Sequence, residues 1–141
     1  GIMAMSYGYV YVASCSMGAN RQQTLNAFIE AEAYEGPSLV MAYSPCINHG
    51  INMMYHQEEQ KKAVECGYVP LYRYNPAGGD KRFSWDCKEP NDQFQAFLAS
   101  QGRYRSLRNT PAAPEADELF KLCEEDARRR NALHKNFGEL I

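Results

Sequence analysis

Residues 7–43 constrain the fold most, because strand-like and helix-like sequence alternate there within a short span. Residues 7–13 form a short run of aromatic and β-branched side chains, which predicts a buried strand. Residues 38–43 form a continuous apolar run, typical of parallel strands covered on both faces. Between these two runs, residues 22–34 predict a helix. Strand, helix and strand in this order predict a right-handed βαβ unit.

The predicted helix has clear boundaries and one apolar face. Asn20 is a suitable N-cap, and Gly36 followed by Pro37 is typical of a helix end. Side chains at helical spacing are expected to face the core, and these are Leu25, Phe28, Ile29 and Ala33.

The middle of the chain predicts one more helix and a hairpin. Residues 52–66 predict a polar helix that closes at Gly67. Residues 70–74 predict a strand near the edge of the sheet, because it opens with Pro70. Residues 82–86 predict the second arm of a hairpin after a Pro- and Gly-rich turn.

The C-terminal third predicts two further helices, a short amphipathic one at 92–100 and a long one at 114–137. The side chains of the long helix that are expected to face inward are Leu119, Phe120, Leu122, Cys123 and Ala127. The sequence therefore predicts a single α/β unit over residues 1–141. We expect a partial three-layer sheet with mostly parallel strands over residues 1–110, followed by a helical C-terminal tail over 111–141.

Composition excludes several classes of function. The formal net charge is −2, from 15 Lys+Arg against 17 Asp+Glu, which argues against a cationic nucleic-acid surface. No apolar run approaches the roughly 18 residues that cross a bilayer. Residues 1–5 lack the basic and apolar regions of a secretory signal, so we expect a cytoplasmic location.

The five cysteines argue against a self-contained disulfide framework or metal site. Their number is odd, and no two are spaced as C-x₂-C or C-x₄-C. Metal and iron–sulfur sites usually fix two ligands on one turn of chain. A cysteine that binds metal here would therefore complete a site whose other ligands lie outside this chain.

Cys46 is the cysteine whose position is most informative. It follows the predicted strand at 38–43, at the carboxyl edge where open α/β sheets place ligands, and Pro45 and Gly50 shape its loop. The alternative is that Cys46 is a small buried apolar side chain, as many cysteines are. The remaining cysteines are interpreted as structural, and these are Cys15, Cys66, Cys87 and Cys123.

His49 lies three residues after Cys46 and raises the possibility of a thiolate–imidazolium pair with Cys46 as nucleophile. The spacing within a loop does not define a geometry, and no orienting group is identifiable. His56 and His134 are expected on solvated helix faces.

Three further features are weaker signals. Residues 16–19 precede a helix and could receive an anion, but a tight strand-to-helix turn explains them equally well. Residues 78–80 are interpreted as a turn. Arg103, Arg105 and Arg108 form a small basic cluster, interpreted as a solvated or interdomain salt-bridge surface.

Several motifs in order resemble pyruvate:ferredoxin (flavodoxin) oxidoreductases. They are Tyr-Gly-Tyr-Val-Tyr-Val-Ala-Ser at 7–14, Glu-Ala-Glu-Ala-Tyr at 30–34, Gly-Pro-Ser-Leu-Val at 36–40, Ala-Tyr-Ser-Pro-Cys-Ile-Asn-His-Gly at 42–50 and Gly-Tyr-Val-Pro-Leu-Tyr-Arg-Tyr at 67–74. The resemblance continues through Phe94–Arg103 and is to the C-terminal part of the thiamine-diphosphate-binding domain. The last 30 or so residues match least distinctively.

The resemblance implies a large enzyme of anaerobic metabolism. Such enzymes decarboxylate pyruvate on thiamine diphosphate, transfer the acetyl group to coenzyme A and pass electrons through 4Fe–4S clusters to ferredoxin or flavodoxin. The family's Ala-Tyr-Ser-Pro-Cys-Ile loop supplies the fourth thiolate of the cluster nearest the thiamine, and Cys46 holds that position here. The other three ligands would come from upstream cysteines in the remaining domains. A homo-oligomeric intact enzyme is implied, without nucleic-acid or membrane partners.

The family's thiamine-diphosphate signature has no counterpart in this chain. The Gly-Asp-Gly motif and the Asn-containing Mg²⁺ loop precede the matched region in the family, and Asp80 is followed here by Lys81. No catalytic or thiamine-binding residue can be carried over, so we expect the chain to be inactive alone. The alternatives are another 2-oxoacid:acceptor oxidoreductase with a different substrate, or a non-catalytic binding or assembly module.

Overall fold

The computed structural model describes residues 1–111 and 113–141. Its helices are α1 (Ile2–Ser6), α2 (Arg21–Ala33), α3 (His56–Glu65), α4 (Phe94–Ser100), α5 (Gly102–Arg105) and α6 (Ala113–Leu140). Its strands are β1 (Tyr11–Cys15), β2 (Ser38–Ala42), β3 (Tyr72–Tyr74) and β4 (Phe83–Trp85). Short 3₁₀ helices cover Ile47–His49, Met53–Tyr55 and Ser106–Asn109. The α/β class, the βαβ start and the β3–β4 hairpin expected from the sequence are confirmed.

The four strands form one sheet in the order β2-β1-β3-β4. β1 and β2 run parallel, as expected, but β3 is antiparallel to both β1 and β4. The expectation of mostly parallel strands therefore holds only for the β1–β2 pair. The short turn between β3 and β4 explains why these two strands are antiparallel, because only antiparallel strands can be joined without a long crossover.

β3 lies inside the sheet, and its predicted position near the edge is wrong. Pro70 precedes β3, so its missing N–H removes no hydrogen bond from the ladder. The carbonyl of Pro70 accepts a hydrogen bond from Ser14 Oγ at 2.7 Å. The two edge strands are β2 and β4, and β2 was expected to be covered on both faces. Ser38, Leu39 and Ala42 are exposed, because in the described chain only β1 pairs with β2.

Helices cover both faces of the sheet. On one face, Tyr11, Ala13 and Cys15 of β1 pack against Ala27 of α2. On the other, Val12, Tyr72 and Tyr74 pack against α1 and the end of α6. A third cluster joins α3, α4 and α6 through Ala63, Phe94, Phe97, Leu98, Ala116, Phe120 and Ala127. The long C-terminal helix is thus packed into the molecule along its length.

The orientation of α2 differs from the expectation. Leu25, Phe28 and Ile29 are each more than half exposed, whereas Gln23, Thr24 and Ala27 are buried. The Gln23 amide explains the rotation, because it donates to Ser14 O at 3.1 Å and to Asp86 Oδ2 at 3.0 Å. These two bonds hold the polar side of the helix against the sheet.

In α6 the expected inward positions of Phe120 and Ala127 are confirmed. Leu119 and Leu122 are instead exposed, at 58% and 50%. Ala116 and Gly138 take part in the buried stripe because these small residues let the helix approach its neighbours closely. The Gly138 position lies against the Phe83 ring, where a side chain would clash. In the residues described, no helix is long and apolar enough to span a membrane.

Candidate functional site

Cys46 lies on a loop at the carboxyl edge of the parallel β1–β2 pair. The Tyr43 N–H donates to Cys15 O at 2.9 Å, which continues the pairing one residue beyond β2. The chain then turns through Ser44 and Pro45, and a 3₁₀ helix begins directly after Cys46. Among the five cysteines, Cys46 is the one that is exposed, while Cys15 and Cys66 are buried and Cys87 and Cys123 are half-buried. The expected outward position of the thiol is therefore present.

Burial gives the other cysteines a different chemistry. It raises the pKa of Cys66 to about 11, and it raises the pKa values of Cys15, Cys87 and Cys123 as well. Cys87 Sγ also accepts the Leu71 N–H at 2.9 Å. These thiols are held protonated within the fold, in agreement with their interpretation as structural.

The His49 ring folds back onto Cys46. The Cys46 N–H donates to His49 Nδ1 at 3.0 Å, and Cys46 Sγ lies 3.3 Å from the same nitrogen. Because Nδ1 accepts a backbone hydrogen bond, the proton of the neutral ring resides on Nε2. Burial lowers the pKa of His49, and the positive charge of Arg103 lowers it further. A neutral ring whose lone pair is engaged is a poor base, so this geometry disfavours a thiolate–imidazolium pair.

The loop contacts α5 through two glycines. The Gly102 N–H donates to Gly50 O at 3.2 Å. Gly50 has φ 67°, and a Cβ there would lie 2.7 Å from Gly102 Cα. Behind this contact, Gln101 is fully buried and its Oε1 accepts from Arg103 Nε at 2.9 Å.

The three arginines singled out in the sequence do not form one cluster. Arg103 is half-buried, and it donates to Tyr68 Oη at 3.2 Å and lies 4.6 Å from the centre of the Tyr104 ring. Arg108 pairs with Asp117 at 2.7 Å, while Arg105 is exposed. The interpretation as a solvated surface therefore fits Arg105 but not Arg103. No local sequence signal separates the two residues.

The loop after β1 shares this edge of the sheet. Gln60 Oε1 accepts from Ser16 Oγ and from the Gly18 N–H, both at 2.9 Å. A Cβ at Gly18 would lie 2.5 Å from Gln57 O. The Gly18 amide is thus already bonded inside a tight turn against α3, which favours the structural alternative over an anion site.

A second polar group lies between α2 and the sheet, and sequence reasoning missed it. Arg73 of β3 forms ion pairs with Glu30 of α2 and, at 2.8 Å, with Asp86. Tyr11 Oη donates to Glu30 at 2.9 Å, and burial raises the pKa of Tyr11. These residues are far apart in sequence, so no local motif could have revealed them.

His134 differs from the expectation of a solvated helix face. His134 lies against the Tyr72 ring with the ring centres 5.3 Å apart, and burial lowers its pKa. It is therefore not on a solvated face. Nowhere in residues 1–111 and 113–141 do three His, Cys, Asp or Glu side chains come together as a metal site.

Comparison with known proteins finds relatives of high sequence identity that match almost the whole chain. The pyruvate:ferredoxin oxidoreductase of Moorella thermoacetica is 54% identical over 99% of this chain and 12% of its own length. A pyruvate-flavodoxin oxidoreductase of Enterobacter agglomerans is 54% identical over 92% of the chain, and a probable one of Escherichia coli is 37% identical over 92%. No protein-family model matches the sequence. The chain spans about an eighth of the length of these curated relatives. The resemblance seen in the sequence is thereby confirmed: the chain is homologous to one segment of the pyruvate:ferredoxin and pyruvate-flavodoxin oxidoreductases.

Proposed function

We propose that this chain is a segment of an enzyme that oxidatively decarboxylates pyruvate to acetyl-CoA and delivers the electrons to ferredoxin or flavodoxin. The identity of 52–54% with three curated relatives of that name supports this reading. The cofactors of the intact enzyme would be 4Fe–4S clusters and thiamine diphosphate with Mg²⁺. Its location would be cytoplasmic. The remaining domains of the enzyme would be the partners of this segment, and pyruvate and coenzyme A would bind the intact enzyme.

Within that enzyme, Cys46 would supply one thiolate of a 4Fe–4S cluster. The observation that carries this assignment is that Cys46 is exposed at the carboxyl edge of two parallel strands. A single outward thiol fits a site that takes one ligand from each of several segments, since Fe–S clusters are held by four cysteine thiolates. The bound cluster would supply one-electron transfer.

The residues around Cys46 prepare it for this role. The loop satisfies its own backbone, because the His49 N–H donates to Cys46 O and the Gly50 N–H donates to Ile47 O, both at 3.0 Å. His49 Nδ1 engages the Cys46 N–H, so the ring fixes the direction of the Cα–Cβ bond. The thiol is thus presented from a preformed loop and not from a flexible one.

Thiamine diphosphate, Mg²⁺, pyruvate and coenzyme A would be bound by residues outside this chain. The diphosphate and its metal need carboxylate and carbonyl oxygens arranged around the cation. The family motif that provides them has no counterpart here.

Three alternatives to this function differ in what they require of Cys46. A different 2-oxoacid substrate is compatible with the same Cys46 ligand, and assays with several 2-oxoacids distinguish it. A non-catalytic binding or assembly module would keep the fold and need no cluster. A Cys46–His49 thiol enzyme is disfavoured by the engaged Nδ1 of His49.

The test replaces Cys46 by Ala in the full-length enzyme that carries this segment. We expect loss of iron or a three-iron remnant at one cluster, a changed low-temperature electron paramagnetic resonance (EPR) spectrum and a collapse of acceptor reduction. Cys123→Ala is the matched control, since it removes a half-buried thiol of α6 that is not on the Cys46 loop. His49→Ala should have a much smaller effect on iron content. Full iron and an unchanged spectrum in Cys46→Ala would refute the assignment.

A further inference from the structure

The backbone contact between Gly50 and Gly102 is closer than side chains would allow. A Cβ at Gly50 would lie 2.7 Å from Gly102 Cα and 2.9 Å from Gly102 N. A Cβ at Gly102 would lie 3.1 Å from Gly50 Cα and from Gly50 O. The hydrogen bond from Gly102 N–H to Gly50 O, at 3.2 Å, lies at this contact. Gly50 is thus required for the loop and α5 to touch, and a Cβ at Gly102 would displace Gly50 by a few tenths of an ångström.

This contact fixes the far end of the Cys46 loop. Its near end is fixed by the Tyr43–Cys15 hydrogen bond at the end of β2. Between these anchors, the hydrogen bonds of Cys46, His49 and Gly50 are made within the loop itself. The Gly50–Gly102 contact therefore gives the loop an anchor on α5 in addition to its anchor on the sheet.

The surface that receives Gly50 is itself rigid. Gln101 is fully buried, and the Tyr104 ring packs edge-on against Phe120 with centres 6.0 Å apart. Arg103 is held by Gln101 and Tyr68. α5 therefore packs with the hydrophobic cluster that joins α3, α4 and α6. Through the Gly50–Gly102 contact, the position of the Cys46 loop depends on how these helices are packed.

We propose that Gly50 and Gly102 are positioning residues for Cys46. They set the position of its thiol relative to the 4Fe–4S cluster. The consequence for the cluster rests on the proposed function of Cys46, whereas the positioning of the loop does not. The size of the residues at these two positions would then change the midpoint potential of the 4Fe–4S cluster by moving one of its ligands.

The first experiment measures amide hydrogen exchange in this chain. In Gly50→Ala, exchange at residues 46, 49 and 102 should accelerate by about tenfold, the factor that corresponds to about 1.4 kcal/mol. Gly79→Ala is the control, because Gly79 has a similar φ of 59° and nothing within 4 Å of its Cβ position. It carries the same backbone strain without the contact. Equal acceleration at these three amides in both variants would overturn the proposal.

Gly102→Ala gives a second, independent test. Gly102 lies in a helix without a positive φ, where Ala is intrinsically favoured over Gly by about 1 kcal/mol. Without the contact, the substitution should slow exchange or leave it unchanged. We expect faster exchange at residues 46 and 49, and slower exchange there would contradict the inference.

The third experiment measures the cluster in the full-length enzyme. Gly102→Ala should shift the midpoint potential and EPR line shape of one cluster while iron content stays near that of the unmodified enzyme. An unchanged potential and line shape would refute the link to the cluster. If Cys46→Ala leaves the cluster intact, the proposed ligand is wrong, and the exchange results still decide whether the glycines position the loop.

Discussion

Among single substitutions in the buried polar group between α2 and the sheet, Arg73→Met should lower the free energy of unfolding the most or nearly the most. The change keeps an unbranched side chain but leaves Glu30 and Asp86 without their cation. Breaking a fully buried ion pair costs about 3–5 kcal/mol. The three side chains retain 15–33% exposure, and Asp86 keeps the Gln23 amide, so we expect a loss of about 2–3 kcal/mol of unfolding free energy.

Urea unfolding of the chain followed by circular dichroism at pH 7 measures this loss. Arg128→Met is the control, because Arg128 pairs with Glu124 on α6 but is 66% exposed. Exposed pairs contribute about 0–1 kcal/mol, so the control should be close to the unmodified chain.

A loss below about 1 kcal/mol, or one equal to that of Arg128→Met, would refute this reasoning.

Three further predictions follow from burial and exposure. Phe28→Lys should leave the urea midpoint almost unchanged yet reduce self-association in light scattering, because Phe28 is 52% exposed beside the open edge of β2; unchanged scattering would contradict this. Phe120→Ala should cost about 3–5 kcal/mol and Leu122→Ala under about 1 kcal/mol, since Phe120 is buried and Leu122 half exposed; similar urea midpoints for the two would contradict it. Burial lowers the pKa of His134, so its contribution to stability is present above the unfolded pKa of about 6.5 and is lost as pH falls from there through the lower pKa of the folded state. His134→Gln should therefore flatten the change in urea midpoint between pH 7 and 5, and an unflattened curve would exclude His134 as its source.

Local patterns predicted the elements but not how they face one another. The β-branched run at β1 and the caps of α2 predicted their elements because these signals lie within a few residues. The face of α2 was predicted wrongly, because hydrophobic periodicity does not distinguish a core from a surface that another part of a larger protein covers. The edge position of β2 was missed for the same reason.

The candidate site divides in the same way. The outward position of Cys46 followed from its place after a parallel strand, which is a rule of sheet topology. The contact between Gly50 of its loop and Gly102 could not be predicted, because the loop and α5 are brought together only by the packing of α4 and α5 on the rest of the chain. The role of Cys46 as a cluster ligand stays a prediction.

The position of Arg73 has a consequence for strand alignment during folding. Arg73 lies opposite Ala13 of β1 and Ser84 of β4, between Tyr72 and Tyr74, which point to the other face. A shift of β3 by one residue would turn the guanidinium into the apolar layer with Met5 and Val12, and it would place a tyrosine under α2 beside Glu30. For a strand of only three residues, few ladder hydrogen bonds specify the alignment. A single arginine that is flanked in sequence by two tyrosines thus makes the misaligned hairpin far less stable than the native one.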